Sequence, residues 1–260
     1  MRARVVKVGG RVVGDDAWLS RFAELVARAG DGLVVVHGGG LDVDELCGRL
    51  GVPVVRQNGL RVTTPEALDV ATLVLSGRLN KRLVRALVSA GVDAIGISGE
   101  DGGLLVAEIA AGGALGRVGD RVEVRTELLR CLLGLGLVPV VSPISRGVDG
   151  GALNVNADDA ATAIAVALDA AELLYVTDVP GVHDGQTTRA ELDAAEAETL
   201  LETGIARDGM AVKVRAALRA LRAGVSAARI GPVESLVDPE AGTWLVADRA
   251  VASEAWEVVA

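Results

Sequence analysis

Lysine is scarce in this chain, and two of its three lysines stand in glycine-bearing segments near opposite ends, Lys7-Val8-Gly9-Gly10 and Asp208-Gly209-Met210-Ala211-Val212-Lys213. Arginine supplies the other 23 of the 26 basic residues, so lysine at these places signals a site that a guanidinium does not suit. An ammonium is a compact point charge with three swivelling donors, whereas a guanidinium is a wide planar fork. That difference fits lysine to a phosphoryl group in transit through a tight site. The third lysine, Lys81, precedes Arg82 in a helical stretch and reads as a solvated surface residue.

Two glycine runs, Gly9-Gly10 and Gly38-Gly39-Gly40, each follow a short apolar run, Arg4 to Val8 and Leu33 to Val36. A loop between a strand and a helix presents backbone N–H groups and the positive helix end to an anion. Two such loops imply two anions or one extended anion. Neither has the spacing of a P-loop or of a dinucleotide fingerprint, and Gly38-Gly39-Gly40 by itself reads equally well as a tight turn. Asp158 falls at a helix start, where it is either an N-terminal cap or, between two lysines, the carboxylate that holds both ammonium groups in place and charged. Arg61 has the fork to clamp a substrate carboxylate, although an isolated arginine also suits a solvated face.

These residues need a frame, and the hydrophobic pattern describes one. Amphipathic stretches at Ala17 to Arg28 and Val43 to Leu50 follow the two loops, giving strand, loop, helix twice, the rhythm of a parallel sheet with ligands at the carboxyl ends of its strands. Pro53 to Arg56 and Asn58 to Val62 read as a hairpin, and Thr64-Pro65-Glu66 caps a long helix with Leu68, Ala71, Leu75, Leu79, Leu83 and Leu87 on one stripe. That stripe serves internal packing or a dimer contact equally. Strands at Ala94 to Ile97 and Val138 to Val141, a β excursion between Leu104 and Val124, a helix from Thr126 to Leu135, and a lid hairpin around Asp149-Gly150-Gly151 complete the first half. The second half holds a strand at Leu173 to Val176, helices near Asp193 to Glu202 and Gly209 to Ala223, and strands at Ala228 to Ile230 and Thr243 to Val246.

Composition narrows the partners. Of 260 residues 50 % are hydrophobic but only 2 % aromatic, so the core must be aliphatic, as in sheets buried on both faces. Few rings and a net charge of −9 speak against nucleic acid, and no stretch has the length and apolarity of a membrane span or signal peptide; a cytoplasmic location is expected. Cys47 and Cys131 lie in apolar helical patterns and read as buried thiols. His37 and His183 are too few for a histidine-rich zinc site, and no transition metal is expected.

Taken together, Lys7 to Gly10, Val36 to Gly40, Asn58-Gly59-Leu60-Arg61-Val62, Asn154-Val155-Asn156-Ala157-Asp158, Thr177-Asp178-Val179-Pro180-Gly181 and Asp208 to Lys213 resemble, in order and spacing, the acetylglutamate kinases of the amino acid kinase family. The resemblance covers essentially the whole chain. It implies a three-layer αβα sandwich with a mostly parallel sheet, one domain over 1–260 with an acceptor lobe over 1–168 and an ATP lobe over 169–260. The expected reaction is ATP-dependent phosphorylation of the side-chain carboxylate of N-acetyl-L-glutamate in arginine biosynthesis.

The same resemblance implies roles. Lys7 and Lys213 stabilise the transferring group, Asp158 organises them, and Gly9, Gly10, Gly39 and Gly40 supply backbone donors. Arg61 and Asn154 hold the acceptor. Asp178, Val179, Pro180, Gly181, Val182, Gly209 and Met210 line the nucleotide, which brings its own Mg2+. The first strand starts almost at Met1, with no residues for the extra N-terminal helix of hexameric, arginine-inhibited members, so the expectation is a homodimer without arginine feedback. Two rivals stand beside this reading: a kinase of aminoadipate or glutamate joined to an acidic carrier protein, and a non-catalytic member that binds amino acids or nucleotides.

Overall fold

The computed structural model describes residues 2–57 and 60–247; Asn58 and Gly59, part of the acceptor-side segment expected above, lie outside the described residues. The chain opens with two strand-to-helix units: β1 (Arg4–Val8), α1 (Gly10–Val13) and α2 (Asp16–Ala29), then β2 (Leu33–His37) and α3 (Gly40–Leu50). Strands β3 (Val55–Gln57) and β4 (Leu60–Val62) form a separate antiparallel hairpin. A long helix follows in three parts, α4 (Pro65–Thr72), a π-helical segment (Leu73–Leu79) and α5 (Asn80–Ser89). Thr64 caps it by accepting from the Ala67 N–H, with Pro65 at the first helical position.

Next come β5 (Ala94–Gly99), β6 (Leu105–Ile109), β7 (Val118–Val124), α6 (Thr126–Gly134), β8 (Val138–Gly147), β9 (Ala152–Val155) and α7 (Ala157–Ala167). The last part comprises β10 (Glu172–Val176), β11 (Glu191–Asp193), α8 (Ala194–Glu202), α9 (Asp208–Arg222), β12 (Ala228–Gly231) and β13 (Thr243–Val246). One sheet takes all strands except the β3–β4 hairpin, in the order β11-β13-β12-β10-β1-β2-β8-β6-β7-β9, with β5 also on β8. Its centre is parallel, and β13, β7 and β9 add antiparallel pairings. The sheet passes through residue 168 without a break, because β10 lies directly beside β1.

Alternation along the central strands builds a core on each face. Val5, Val34, Val36, Leu173 and Tyr175 pack with Ile164 of α7 and Ala217 of α9, whereas Val6, Val8, Val35, Leu174 and Val176 pack with Phe22 of α2 and Leu83 of α5. Helices therefore cover both sides, giving three layers. At the amino ends of the strands Glu172 ties β10 to its neighbours, accepting from Arg229 Nε at 2.6 Å and Arg4 Nε at 3.0 Å. Arg229 is fully buried and stacks over the Trp244 ring at 4.3 Å; a charge so deep persists because it is paired and hydrogen-bonded.

Three local features differ from the sequence reading. Cys131 is exposed, not buried, because it falls on the outer face of α6 while Leu129 turns inward. The long helix is interrupted by its π segment. Lys81 is exposed as expected, yet its ammonium is not merely solvated, for it donates to Gly96 O at 2.8 Å.

Candidate active site

Strands β1, β2 and β9 end at one side of the sheet, and the segments that follow them converge. Lys7 is the second-last residue of β1 and shares the sheet face of Val5, beneath α7. The inward surface of α7 is built from Ala160, Ala161 and Ala165, all fully buried. Such small residues let the helix lie close to the sheet, and alanine favours the helix itself. The amino end of α7 thereby delivers Asp158 to Lys7, with Nζ 2.8 Å from Oδ1 and both side chains largely buried. Asn156 caps α7 by accepting from the Asp158 N–H at 2.9 Å, which fixes the turn that carries the carboxylate.

The two glycine loops meet at the same place. Gly38 donates its N–H to Val8 O at 3.0 Å, and a Cβ on Gly10 would lie 2.3 Å from Gly39 Cα and 2.6 Å from Gly39 N. Only glycine permits that approach. A Cβ on Gly39 would strike Leu79 and Leu75 of the long helix at 2.3 and 2.7 Å, so the loop rests on the π segment. Gly39 is the N-cap of α3 and brings no side chain to its first turn, leaving backbone donors to face an anion. A cleft of about 290 Å³ lies between these parts, with Lys7, Gly10, Gly39, Gly40, Arg61 and Asn154 on its walls.

Arg61 reaches the cleft from the β3–β4 hairpin. Its Nη2 donates to Gly40 O at 2.7 Å, and its Nη1 pairs with Asp44 of α3. Arg56, opposite Arg61 in the hairpin register, donates to the other oxygen of Asp44 at 2.6 Å. One carboxylate thus anchors two guanidiniums on the cleft wall. Asn154 donates to the Thr63 hydroxyl at 3.3 Å. The Asp149-Gly150-Gly151 turn is gripped by Arg117, which donates to both Asp149 oxygens and to Ala152 O; that guanidinium holds the Asp149 carboxyl down to about 2.

Beneath the loop, His37 and Asn80 are fully buried. Burial drives the His37 pKa from 6.5 down to about 4, opposed by its hydrogen bond to Gly38 O. On the far side of β1, Tyr175 stands in register with Lys7. Its hydroxyl lies 3.1 Å from Thr162 Oγ1 on α7 and donates to Ala216 O on α9 at 3.3 Å, and burial raises its pKa above the usual phenol range. Asp158 is one turn before Thr162 and Lys213 one turn before Ala216, so both lie toward the amino ends of their helices.

The model of the amino acid kinase family matches residues 2–231. The chain belongs to that family. Among curated amino acid kinases, acetylglutamate kinase of Rubrobacter xylanophilus is 48 % identical over 227 residues, covering 87 % of this chain and 88 % of the relative. Acetylglutamate kinase of Roseiflexus sp. is 45 % identical over 247 residues, covering 94 % of each. Among solved structures, smu.665 of Streptococcus mutans UA159 matches with a TM-score of 0.78 at 27 % identity, covering 95 % of this chain and 99 % of that one. N-acetylglutamate synthase of Neisseria gonorrhoeae, complexed with coenzyme A and N-acetyl-glutamate, matches with a TM-score of 0.80 at 25 % identity; this chain spans 60 % of it.

Of the residues singled out from the sequence, Lys7, Gly10, Gly39, Gly40, Arg61 and Asn154 line the one cleft, and Asp158 is bonded to it through Lys7. Gly9 joins β1 to α1. The remainder of this amino acid kinase's expected site sits beyond β10. Asp178, Val179 and Pro180 are exposed in the loop after that strand. Gly181 packs against Thr243, and Val182 is a core residue whose N–H donates to Thr243 Oγ1 at 2.8 Å. Gly209 and Met210 lie in the first turn of α9, where the expected helix begins. Asp44, Arg56 and Asn156 were not expected; the Asn156-x-Asp158 spacing of a helix cap was the signal available for the last of them.

Proposed function

We propose that this chain transfers the γ-phosphoryl group of ATP to the side-chain carboxylate of N-acetyl-L-glutamate, giving an acyl phosphate for arginine biosynthesis. The observation that carries this reading is the Lys7–Asp158 pair at the junction of two glycine loops. The identity of 42–48 % to curated acetylglutamate kinases over most of the chain supports the choice of acceptor.

The acceptor needs no general base. A carboxyl with a reference pKa of about 4.3 is already ionised at neutral pH, so one of its oxygens attacks the γ-phosphorus as the bond to the bridging oxygen of ADP breaks. Catalysis is then alignment and neutralisation of charge. Lys7 and Lys213 face the equatorial oxygens, Asp158 holds the ammonium of Lys7, and the amides of Gly10, Gly39 and Gly40 donate to the same group. Arg61 and Asn154 bind the acceptor's other polar groups within the lobe of residues 1–168.

The nucleotide takes the lobe of residues 169–260, along Asp178 to Val182, Gly209 and Met210, with its phosphates reaching Gly9 and Gly10 of the other lobe. Gly9 is open, a Cβ there meeting nothing within 4 Å, and α3 starts at Gly39 with no side-chain cap, so a phosphate chain can approach backbone N–H groups at both loops. Mg2+ would arrive on the phosphate oxygens of the nucleotide. When bound, it neutralises phosphate charge. The reading carries a cytoplasmic homodimer, for which the exposed Leu73 and Val88 of the long helix are apolar surface to bury; among the described residues, no helix is long and apolar enough to cross a membrane.

Hydroxylamine trapping of acyl phosphate with ATP and N-acetylglutamate, aspartate, glutamate or N-acetylaminoadipate tests the proposal. Product is expected with N-acetylglutamate. Turnover with another acceptor while free N-acetylglutamate stays untouched would replace this reading by a different kinase of the family.

A further inference from the structure

The buried polar chain under the second glycine loop has a direction. His37 ends β2 on the sheet face opposite Lys7, sealed between the sheet and the long helix. Its Nδ1 lies 3.2 Å from Gly38 O, and its Nε2 lies 3.3 Å from Asn80 Nδ2. Asn80 cannot present its oxygen to the ring instead. Its Nδ2 donates to Val140 O at 2.8 Å and Ile97 O at 3.3 Å, and its Oδ1 accepts from Lys81 Nζ at 3.2 Å. An amide turned the other way would set oxygen against two carbonyls. The amide nitrogen, its two hydrogens shared among these three neighbours, accepts nothing, so Nε2 must be the bare nitrogen and the neutral imidazole carries its proton on Nδ1, donating to Gly38 O.

That bond fixes a peptide plane. The carbonyl and N–H of one peptide unit point in opposite directions, so drawing Gly38 O down onto His37 turns the Gly39 N–H up toward the cleft. The Gly39 nitrogen sits where the two loops touch, 2.6 Å from the position of a Cβ on Gly10. The next carbonyl but one is also held, since Gly40 O accepts from Arg61 at 2.7 Å. Glycine has no side chain to restrain these dihedrals, and the restraint comes from outside the loop.

We infer that His37 is a positioning residue, its tautomer set by Asn80, that aims the Gly39 amide at the transferring phosphoryl group; this rests on the phosphotransferase reading above. His37 touches neither substrate and exchanges no proton during turnover. Gly96 belongs to the same device, because a Cβ there would lie 1.9 Å from Asn80 Oδ1.

Nitrogen-15 spectra of imidazole-labelled protein read the tautomer without any turnover. The chain has two histidines, so the spectrum of His37→Asn identifies the signals of His37 by their loss. A protonated Nδ1 and a bare Nε2 at neutral pH are expected; the opposite tautomer would overturn the inference. In kinetics, His37→Leu should lower kcat at least about tenfold with both KM values within about twofold. His37→Asn, whose amide nitrogen stands near the place of Nδ1, should recover most of the loss. Equal kcat in the two folded variants would also overturn it, and should neither variant fold, the wild-type spectrum decides. A wild-type protein that makes no acyl phosphate removes the proposed function and leaves the tautomer result standing, so the two failures are distinguishable.

Discussion

Gly10 and Gly39, 29 positions apart, touch backbone to backbone: a methyl group on Gly10 would stand 2.3 Å from Gly39 Cα. Neither side can yield cheaply, since Gly39 is itself pressed against Leu75 and Leu79. Gly10→Ala is therefore expected to cost about 1–3 kcal/mol of stability and to reduce turnover sharply. Gly9→Ala meets nothing within 4 Å, so its unfolding midpoint should match the wild type. Thermal unfolding of the pair checks this, and a Gly10→Ala protein with unchanged midpoint and kcat would contradict the contact.

Lys213 is one turn before the carbonyl that Tyr175 holds on α9, and a planar fork has no equivalent of a compact ammonium there. Lys213→Arg should lower kcat by about a hundredfold, the scale of a misplacement of about 1 Å, with the fold intact by circular dichroism. Unaltered turnover would remove the case for lysine geometry.

The buried His37 makes stability depend on pH. In the unfolded chain its pKa is about 6.5, and in the folded protein about 4, so between these values the unfolded state alone takes up the proton. The contribution is fully present above pH 6.5 and is lost as pH falls toward 4, on the order of 3 kcal/mol in all. Urea unfolding of wild type and His37→Asn at pH 7, 5 and 4 isolates it from the carboxylates. The variant should show a shallower decline over that window, and identical slopes would show that burial does not depress this imidazole.

Much of the site was legible because local patterns carried it. Strand, glycine loop and helix recur twice at the start, and parallel strands bring such loops to one edge; Lys7, Gly10, Gly39, Gly40, Arg61 and Asn154 accordingly share a cleft. What could not be read depends on register and rotation. The grip of Asp44 on Arg56 and Arg61 needs the hairpin pairing of those arginines and the placement of α3 beside it, and neither is a local property. Cys131 sits among leucines in sequence but on the outer face in space. The π segment left a trace that was easy to overlook, apolar residues at 71, 75, 79, 83 and 87 in unbroken steps of four, where an α-helix of 3.6 residues per turn would mix threes with fours.

That widened winding acts like a vernier on the long helix. On α-helical geometry Leu75 and Asn80 would point about 140° apart, so a helix that seated the leucine under the loop would swing the amide out into water. A π turn, closed between i and i+5, brings both round to the same side, and both are in fact buried. Removing one residue between Leu75 and Asn80 would leave the pair four apart, a spacing that ordinary α-helical winding closes to about 40°, so the shortened helix should lose the π turn and still hold Asn80 against the imidazole.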